Sequence, residues 1–569
     1  DAPGEFIRCL PVAVMSSVLA SLLVSLTLVP FMASLVLKSN HNQEGNIFLR
    51  ALKKGIHATY SRLLDVALRR PLATLIGAFA IFGLSLGVFK IIGFKLFPSS
   101  EKPEFMINIH APLQSNIETT DSISRYVESV LHQEPNVEYF TTNVGKGNPR
   151  IYYNVIPENE KPDFSQVFVQ LYPDVSPQKK KRIIESLRMK FSGIPGSKIE
   201  VKDFEQGPPI EAPIAVRIKG ENLDTLRSLA DSVEQILRAT PGAIYVNNDI
   251  GVLKSDLKLH INREKSRTLG ISTASIENTV RLAIAGLTIG TFTDSRDNDY
   301  DIVVNTPRKT FPTLNSLRNL YVDNALGTPI PLDQVTRLEF ESSPTTIKHL
   351  DKKRFVVVTA FTGKGYLADQ IAKNLTRRLN EIKLPAGYHW QLAGEAESEQ
   401  DAFGGSFMTV VIATIFLFLM ILILEFKTFK SMLIVLSVIP LGIIGGITLL
   451  WITGNPMSFV AIVGFIGLAG VEVKNSILLV DFTNQLRAEG MGLEEAIREA
   501  GELRFLPIIL TSLTAIGGLL PIALSSNPLI SPLALVLIGG LISSTLLSRI
   551  VTPVVYKLIP PKVIPNQIK

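Results

Sequence analysis

Seven long apolar stretches constrain the fold of this chain more than any other feature. Each is long enough to cross a bilayer as a helix, which takes about 20 residues. They cover residues 11–37, 72–94, 405–425, 431–452, 456–483, 505–526 and 532–556. The block between the second and third stretches is charged and has the pattern of a globular protein. The sequence therefore predicts a bundle of seven membrane spans with one large region outside the bilayer.

The short loops between these stretches divide into basic and non-basic ones. Lys and Arg are frequent in the connector 38–71, in the turn EFKTFK, in the loop 484–504 and in the tail 559–569. Short basic loops stay on the cytoplasmic side of a membrane, and all four fall on one side when the stretches alternate. The block between 98 and 400 is then extracytoplasmic. The connector 38–71 also has the pattern of an amphipathic helix that lies on the inner surface.

The block outside the membrane has the pattern of repeated β-α-β units. Its first part, 98–210, contains predicted strands at FMINIHAP, VEYFTT, RIYYNV, QVFVQLY and SKIEVKDF. A second part starts at 211–255 and resumes at 341–400, after an insertion at 256–340. Two ferredoxin-like split β-α-β domains fit this order. The predicted fold class is a seven-span α-helical membrane bundle with an α+β extracytoplasmic region.

Composition argues against several classes of function. The net charge is +6, but the basic residues do not form one patch with interleaved aromatic residues, so we expect no nucleic-acid binding. The single cysteine, Cys9, excludes an intrachain disulfide and a Cys-based zinc site. The seven histidines show no metal-ligand pairing, and the outer block has only Met106 and Met189, too few for a soft-metal site. No phosphate-binding loop or nucleophile–base spacing occurs, so we expect no enzyme, no resident metal and no cofactor.

Charged residues interrupt the fifth apolar stretch at Glu472, Lys474 and Asp481. Lys474 lies 13 positions before Arg487, or roughly 20 Å of helix, and a charge at that depth costs about 2.5–3.5 kcal/mol. Because seven residues make nearly two turns, Lys474 and Asp481 share a face. Lys474 is either a member of a proton path or half of a structural ion pair. Asp481 is either its neighbour in that path or an interfacial residue.

The sixth stretch adds a second polar pair, Arg504 and Thr511, which are also seven residues apart. Thr511 either joins the polar cluster of the fifth stretch or bonds to its own helix backbone. Arg504 is by default an anchor at the inner end. In the fifth stretch, glycines at 464, 467 and 470 form a small-residue stripe for close helix packing.

Aromatic residues of the first outer domain offer a weaker signal. Strand alternation places most of them in the core, and the remainder would line an apolar cleft. The cleft candidates are Phe140, Tyr152, Tyr153 and Phe164.

Three passages resemble the resistance–nodulation–division (RND) efflux transporters, in particular the C-terminal half of the hydrophobe/multidrug, AcrB-like branch. They are GEFIRCLPVAVMSSVLASLLVSLTLVP, GVEVKNSILLVDF and REAGELRFLPIILTSLTAIGGLLPIAL. The layout of spans and outer block is also similar over essentially the whole chain. The chain opens without Met, so we expect a piece of a longer protein or one half of a split one.

The resemblance implies an assignment for each segment. Residues 1–37 and 72–97 would be the sixth and seventh of twelve spans, and 401–558 would hold the last five. The two β-α-β domains would be periplasmic porter subdomains, and 256–340 would be a docking-like part. The protein would be a multi-pass protein of the bacterial inner membrane.

The resemblance also implies a mechanism and partners. Lys474 would pair with two aspartates on the fourth span, which belongs to a missing N-terminal half, and Thr511 and Arg504 would lie in the same proton-relay region. The proton gradient would drive export of hydrophobic or amphiphilic compounds by a homotrimer with a periplasmic adaptor and an outer-membrane channel. The first porter domain is less Phe-rich than in broad multidrug pumps, which leaves the substrate open. Two alternatives are a non-transporting scaffold subunit and a lipid-export member of the superfamily.

Overall fold

A computed structural model describes Glu5 and residues 8–36, 60–251, 253–306 and 314–563. The chain divides into two compact units, one made of Asp1–Asp249 with Lys348–Lys569 and the other of Ile250–Ile347. The predicted surface helix of the connector falls mostly on residues 37–59, and the end of the tail falls on 564–569. Both segments lie outside the described residues.

The N-terminal helices begin the first unit. They are α1 (Cys9–Leu26), α2 (Leu28–Val36), α3 (Arg62–Arg69) and α4 (Pro71–Ile92). The proline at the first turn of α4 needs no hydrogen-bond partner there, which fixes where that helix starts. The short helix α3 buries Leu64, Ala67 and Leu68, and its Asp65 forms an ion pair of 2.7 Å with Arg498. The end of the connector is therefore anchored on the helical bundle.

The first sheet follows the element order β-α-β-β-α-β. Its elements are β1 (Glu104–His110), α5 (Ile117–His132), β2 (Val137–Val144), β3 (Phe164–Leu171), α6 (Pro177–Phe191) and β4 (Lys198–Asp203). The strands are antiparallel in the order β2-β3-β1-β4. One face of β1, formed by Phe105, Ile107 and Ile109, packs with both helices in one buried core. Lys180 of α6 is also buried, and its Nζ donates to Ser100 O, Lys102 O and Asp203 Oδ1 at 2.7–2.9 Å.

The predicted strand RIYYNV is wrong, because residues 150–155 form a loop. Pro149 and Pro157 flank the segment and have no N–H to donate to a strand ladder. Side chains hold it instead: the Tyr152 ring stacks on Phe204 at 4.5 Å, and Asn154 Nδ2 donates to backbone oxygens of residues 205 and 207.

A second sheet begins with β5 (Ile214–Lys219), α7 (Leu223–Arg238) and β6 (Ala243–Asn248). The chain then enters the second compact unit and returns to the sheet only after it.

The second unit, Ile250–Ile347, is built from short elements. They are β7 (Lys254–Ile261), α8 (Arg263–Thr268), α9 (Thr273–Ile284), β8 (Leu287–Thr293), β9 (Asp299–Val304), α10 (Leu314–Arg318), β10 (Tyr321–Asp323), β11 (Pro329–Pro331), α11 (Leu332–Val335) and β12 (Thr336–Ser343). Strands β7 and β12 pair antiparallel over their full length, from Thr336↔Ile261 to Ser343↔Lys254. This pairing draws both flanks into the unit, which is why it extends beyond the predicted insertion 256–340 at each end.

The second sheet is completed by β13 (Lys348–Leu350), β14 (Lys353–Thr362), α12 (Ala368–Leu379) and β15 (His389–Gly394). Strand β5 lies at the centre of the sheet and pairs with β14 and β15, which follow it by more than 130 residues in the sequence. Its residues Ile214, Ala215, Val216 and Ile218 are all buried.

The C-terminal helices are α13 (Glu395–Phe403), α14 (Gly405–Phe426), α15 (Phe429–Leu436), α16 (Ile439–Thr453), α17 (Phe459–Ala488), α18 (Leu493–Ala523) and α19 (Ser531–Leu558). Within the described ranges, seven helical segments are long and apolar enough to cross a membrane. They are Val12–Val36, Pro71–Ile92, Glu395–Phe426, Phe429–Thr453, Phe459–Ala488, Leu493–Ala523 and Ser531–Leu558. That each one crosses a bilayer stays a prediction.

Helices α16 and α19 approach each other most closely through glycine. A Cβ added at Gly445 of α16 would overlap the carbonyl oxygen of Gly539 of α19, and one added at Gly539 would overlap Gly445 O. The predicted glycine stripe on α17 contacts α19 at its first positions: an added Cβ would lie 3.2 Å from Leu533 O at Gly464 and 3.9 Å from Leu537 at Gly467. At Gly470 such a Cβ would meet no described atom within 4 Å.

We expect Gly445→Ala to destabilise the bundle by about 1–3 kcal/mol, because the two helix backbones must separate to admit the methyl group. The matched control is Gly83→Ala in α4, where an added Cβ meets nothing within 4 Å and alanine favours the helix. Thermal unfolding of the detergent-solubilised protein measures both. Equal melting temperatures for the two variants would contradict the close contact.

Candidate functional site

Helix α17 carries the charged residues that the sequence analysis placed at the centre of function. The Ser458 hydroxyl accepts a hydrogen bond from Ala461 N at 3.1 Å and so caps the start of this 30-residue helix. Lys474 lies in the second half of the helix, and its side chain is exposed on the surface of the bundle. Within the part of the chain that the structure describes, the Lys474 ammonium group has no hydrogen-bond or ion-pair partner.

The other predicted relay residues occupy different local environments. Asp481 accepts a hydrogen bond of 2.8 Å from Gln485, one turn further along α17, and does not contact Lys474. Thr511 of α18 is exposed, and its hydroxyl donates to Ile508 O at 2.8 Å, the backbone bond that the sequence left open. The Arg504 guanidinium group lies 4.5 Å from the ring centre of Phe482, the residue that follows Asp481 in α17. The structure thus joins Arg504 to α17, while Lys474 and Thr511 share no contact.

A buried polar cluster between α17 and α19 was missed as a unit by the sequence analysis. Glu472 and Arg549 are only 2% and 3% exposed, and Ser476, Ser544 and Thr552 are buried beside them. Glu472 lies two positions before Lys474 and therefore faces a different side of α17. The signal for its neighbour was present, since Arg549 is a charged residue within the last apolar stretch.

The aromatic cleft candidates are mostly packing residues. Phe164 is 1% exposed at the start of β3, with its ring 5.2 Å from that of His110. Phe140 packs against the core of the first sheet, with its ring 4.9 Å from His132. Tyr152 is buried, and burial raises the pKa of its phenol to about 12. Only Tyr153 exposes much of its ring, and its hydroxyl accepts a hydrogen bond from Gly207 N at 2.8 Å. A role in substrate binding stays a prediction for these residues.

A cavity of about 240 Å³ lies between the second sheet and the start of the C-terminal helices. Apolar groups such as Phe94 and Leu96 form part of its wall, and three carboxylates line it: Asp369, Glu395 and Glu399. Lys373 also lines it and forms an ion pair of 2.7 Å with Asp369. The lining therefore mixes apolar groups with three acidic residues and one basic residue.

Lys95 lies close to this cavity, in the segment that leaves α4. Its Nζ forms an ion pair of 3.0 Å with Glu205 and also bonds Ser99 Oγ. Burial disfavours the charged amine, but Glu205 and Glu395 outweigh that effect, so the pKa of Lys95 lies above its usual value. These carboxylates therefore favour the charged form of Lys95.

The second unit brings together a histidine and two carboxylates that are far apart in sequence. His260 Nε2 of β7 lies 3.0 Å from Glu341 Oε1 and 3.6 Å from Glu339 Oε2 of β12. Strand pairing brings His260 to these carboxylates across about 80 positions, a proximity that spacing in the sequence does not reveal. The three groups have the chemistry of a divalent-cation site. However, Lys258 already pairs with Glu341 and Arg337 with Glu339, so the exposed cluster is an ion-pair network as it stands.

We expect Tyr152→Ala to lower stability by about 3–5 kcal/mol, because it removes a buried ring stacked on Phe204. The control is Tyr139→Ala, which removes a ring that is 53% exposed on β2. Chemical or thermal unfolding of the outer region reports both variants. If Tyr152→Ala reduced export without changing stability, Tyr152 would be a cleft residue rather than a core residue.

Comparison with known proteins shows the family to which this chain belongs. Two curated relatives are the cobalt-zinc-cadmium resistance protein CzcA of Cupriavidus metallidurans and the cation efflux system protein CzcA of an Alcaligenes species. Each is 27% identical over 98% of this chain, and the match covers 53% of the relative. The chain therefore spans about half the length of these relatives.

Solved structures show the same fold. Two crystal forms of a heavy metal efflux pump superpose with TM-scores of 0.75 and 0.78 at 22% identity. They cover 90% and 95% of this chain, which in turn covers 52% and 54% of theirs. Residues 1–560 match the sequence profile of the AcrB/AcrD/AcrF family, whose members are secondary transporters and not enzymes. This chain belongs to the AcrB/AcrD/AcrF family of RND efflux transporters.

Proposed function

We propose that this chain forms one part of a proton-driven exporter of the bacterial inner membrane and supplies the basic side of its proton relay. The observation that carries the proposal is Lys474: a lysine in the second half of an apolar 30-residue helix, exposed on the bundle surface. A lysine in contact with lipid at that depth is costly. The surface around Lys474 is therefore expected to be covered by helices that provide a carboxylate.

That carboxylate must come from outside the described residues, since Asp481 bonds Gln485 instead. The chain spans about half of its relatives, which leaves room for a second half that carries an acidic pair. In this proposal, Lys474 exchanges carboxylate partners as they take up and release protons. Thr511, also exposed on the bundle surface, would join the same relay once the second half covers it, and Arg504 would attract its carboxylates.

Divalent metal cations are the first candidate substrate. Both curated relatives are named for cation efflux, and the cavity beside the second sheet is lined by three carboxylates and one lysine. Carboxylate oxygens are known ligands of zinc in proteins. The outer block has only two methionines, which are too few for a soft-metal site. Hydrophobic or amphiphilic compounds are the second candidate, supported only by the AcrB-like passages. The relatives do not support the hydrophobe/multidrug branch, and three of its four aromatic cleft candidates, Phe140, Tyr152 and Phe164, are buried or packed against a core.

The assembly follows that of the family, whose pumps work as trimers with an adaptor and an outer-membrane channel. In this proposal, the two sheets form porter subdomains on the periplasmic side. The second unit, Ile250–Ile347, would meet the adaptor. A scaffold without transport, the alternative from a different class, has no use for a lysine that requires a buried partner.

Lys474→Met is expected to abolish export when this chain is produced together with its missing half, because the methionine keeps the volume but cannot exchange a charge. Survival of transporter-dependent cells in zinc, cobalt and cadmium salts, and in amphiphilic drugs, measures the loss. The control is Lys383→Met, which removes an exposed lysine outside the membrane helices. Normal resistance with Lys474→Met, at equal protein levels, would refute the relay role.

Glu399→Gln is expected to weaken export of metal cations at least tenfold at low metal concentration, because it removes one of three carboxylates from the cavity. Export of amphiphilic drugs should not change. Asp401→Asn, on the same helix but exposed and outside the cavity lining, serves as the matched control. A loss of drug export with intact metal export would reverse the order of the two substrate candidates.

A further inference from the structure

The polar cluster around Glu472 lies inside this chain's own helical bundle, apart from the surface that carries Lys474. The two residues are two positions apart on α17, so their side chains leave the helix about 200° apart. Glu472 faces α19, where Arg549 is its charged neighbour. Glu472 therefore has a basic neighbour within this chain, whereas Lys474 has no ion-pair partner among the described residues.

Several buried atoms of the cluster have no hydrogen-bond partner in the protein. They are Glu472 Oε1, Ser476 Oγ, Arg549 Nε, Arg549 Nη1 and Thr552 Oγ1. Leaving buried polar atoms unpaired destabilises a fold, and charged groups do so most strongly. Ordered water is the usual partner of such atoms in a polar interior. Five of them in one place indicate a hydrated space between α17 and α19.

This space continues toward one end of the bundle. Thr552, Thr483 and Tyr556 border a small cavity of about 10 Å³, and Leu479, Val480, Ile497 and Pro553 complete its mostly apolar lining. Its volume is about the room that one water needs. The Tyr556 hydroxyl donates to Asn484 Oδ1 at 2.6 Å and accepts a hydrogen bond from Arg487 Nη1 at 3.1 Å. Polar groups thus follow one another from Glu472 to Arg487, at the end predicted to be cytoplasmic.

A proline opens the helix beside Arg549. Pro553 has no N–H, so the carbonyl oxygen of Arg549 loses its donor within α19. The hydroxyl of Tyr60, which precedes α3, donates to that oxygen at 3.2 Å. The Tyr60 ring also packs against Phe505 of α18 with 4.5 Å between ring centroids. Tyr60 therefore holds the arginine backbone from the cytoplasmic side.

Few charged groups face Glu472 from the elements packed around it. Helix α19 contributes Arg549, which also lies near the Tyr60 phenol before α3. Glu502 of α18 lies near that phenol and accepts a hydrogen bond from Ser61. Helix α16 approaches through Gly442, 3.7 Å from the Glu472 side chain for an added Cβ, and has no ionisable residue. The remaining charges nearby have partners elsewhere: Lys430 of α15 bonds Pro560 O, and Arg504 of α18 covers Phe482.

We propose that this polar column, defined as Glu472, Ser476, Arg549, Thr552 and Tyr556, is a hydrated half-channel that opens at the cytoplasmic end of the bundle. Its inner end is Glu472, whose carboxyl group exchanges a proton with the cytoplasm through the column. The proton role rests on the proposed proton-driven function, whereas the hydration does not. Protons released by the relay at Lys474 would leave by this route.

Cysteine accessibility tests the hydration of the column. The native Cys9 is replaced by serine, and single cysteines are introduced as Ser476→Cys and Thr552→Cys in the complete transporter. In inside-out vesicles, a small charged methanethiosulfonate added to the cytoplasmic face should modify both at least tenfold faster than the matched controls. The controls are Val473→Cys and Val554→Cys, which are equally buried on the same helices but apolar.

Equal, slow labelling at all four positions would overturn the half-channel, and so would labelling from the periplasmic face alone. This readout needs no transport. The labelling result is therefore independent of the Lys474→Met experiment. Normal resistance with Lys474→Met would refute the proton relay and leave the half-channel standing.

The proton role has its own test in Glu472→Gln, which keeps the shape of the side chain. We expect export to fall at least tenfold and to lose its dependence on cytoplasmic pH, while Ser476→Cys labelling stays fast. The infrared band of a protonated carboxyl group should also disappear in this variant. Wild-type export with an unchanged pH profile would show that the column is hydrated but carries no proton.

Discussion

The close contact between α16 and α19 is the interaction on which the membrane part of this structure depends. Because Gly445 and Gly539 have no side chains, the two backbones approach to a distance that no other residue allows. Helix α19 becomes the most buried of the seven apolar segments as a result. Helices α17 and α18 pack around it, and α3 packs on its end through Leu64 and Leu68. The contact between Gly445 and Gly539 therefore fixes the position of α19, the helix that carries Arg549 of the buried polar cluster.

The same bundle is tied to the outer sheets by backbone as well as by side chains. The segment after α4 runs beside the segment before α17, with Lys95 N donating to Met457 O and Met457 N donating to Gly93 O. Lys95 then reaches Glu205, next to the first sheet, and lies near Glu395 at the start of α13. A movement of α17 would be transmitted directly to residues at the base of both sheets. In the transporter that we propose, this connection would carry changes at Lys474 to the cavity beside the second sheet.

Sequence alone predicted what depends on local patterns. Apolar length located the long helices, and the depth of Lys474 in α17 followed from counting turns. It could not predict what depends on pairing across long separations. The His260 cluster exists only because β7 lies beside β12, and the Glu472–Arg549 cluster exists only because α17 lies beside α19. The loop at 150–155 shows the reverse error, since its alternation resembled a strand but the flanking prolines and the Tyr152–Phe204 stack decide its form.

Helix α17 therefore has two polar faces with opposite requirements. Its Lys474 face is open, and Lys474 has no ion-pair partner among the described residues; in the proposed function a second half would supply that partner. Its Glu472 face is closed by α19 and already holds a basic neighbour in Arg549. A single rigid helix that carries both faces couples them mechanically, because a rotation or tilt that brings Lys474 toward a carboxylate also moves Glu472 against Arg549. Proton exchange at the outer face and the state of the inner column would then change together, without a separate linking element.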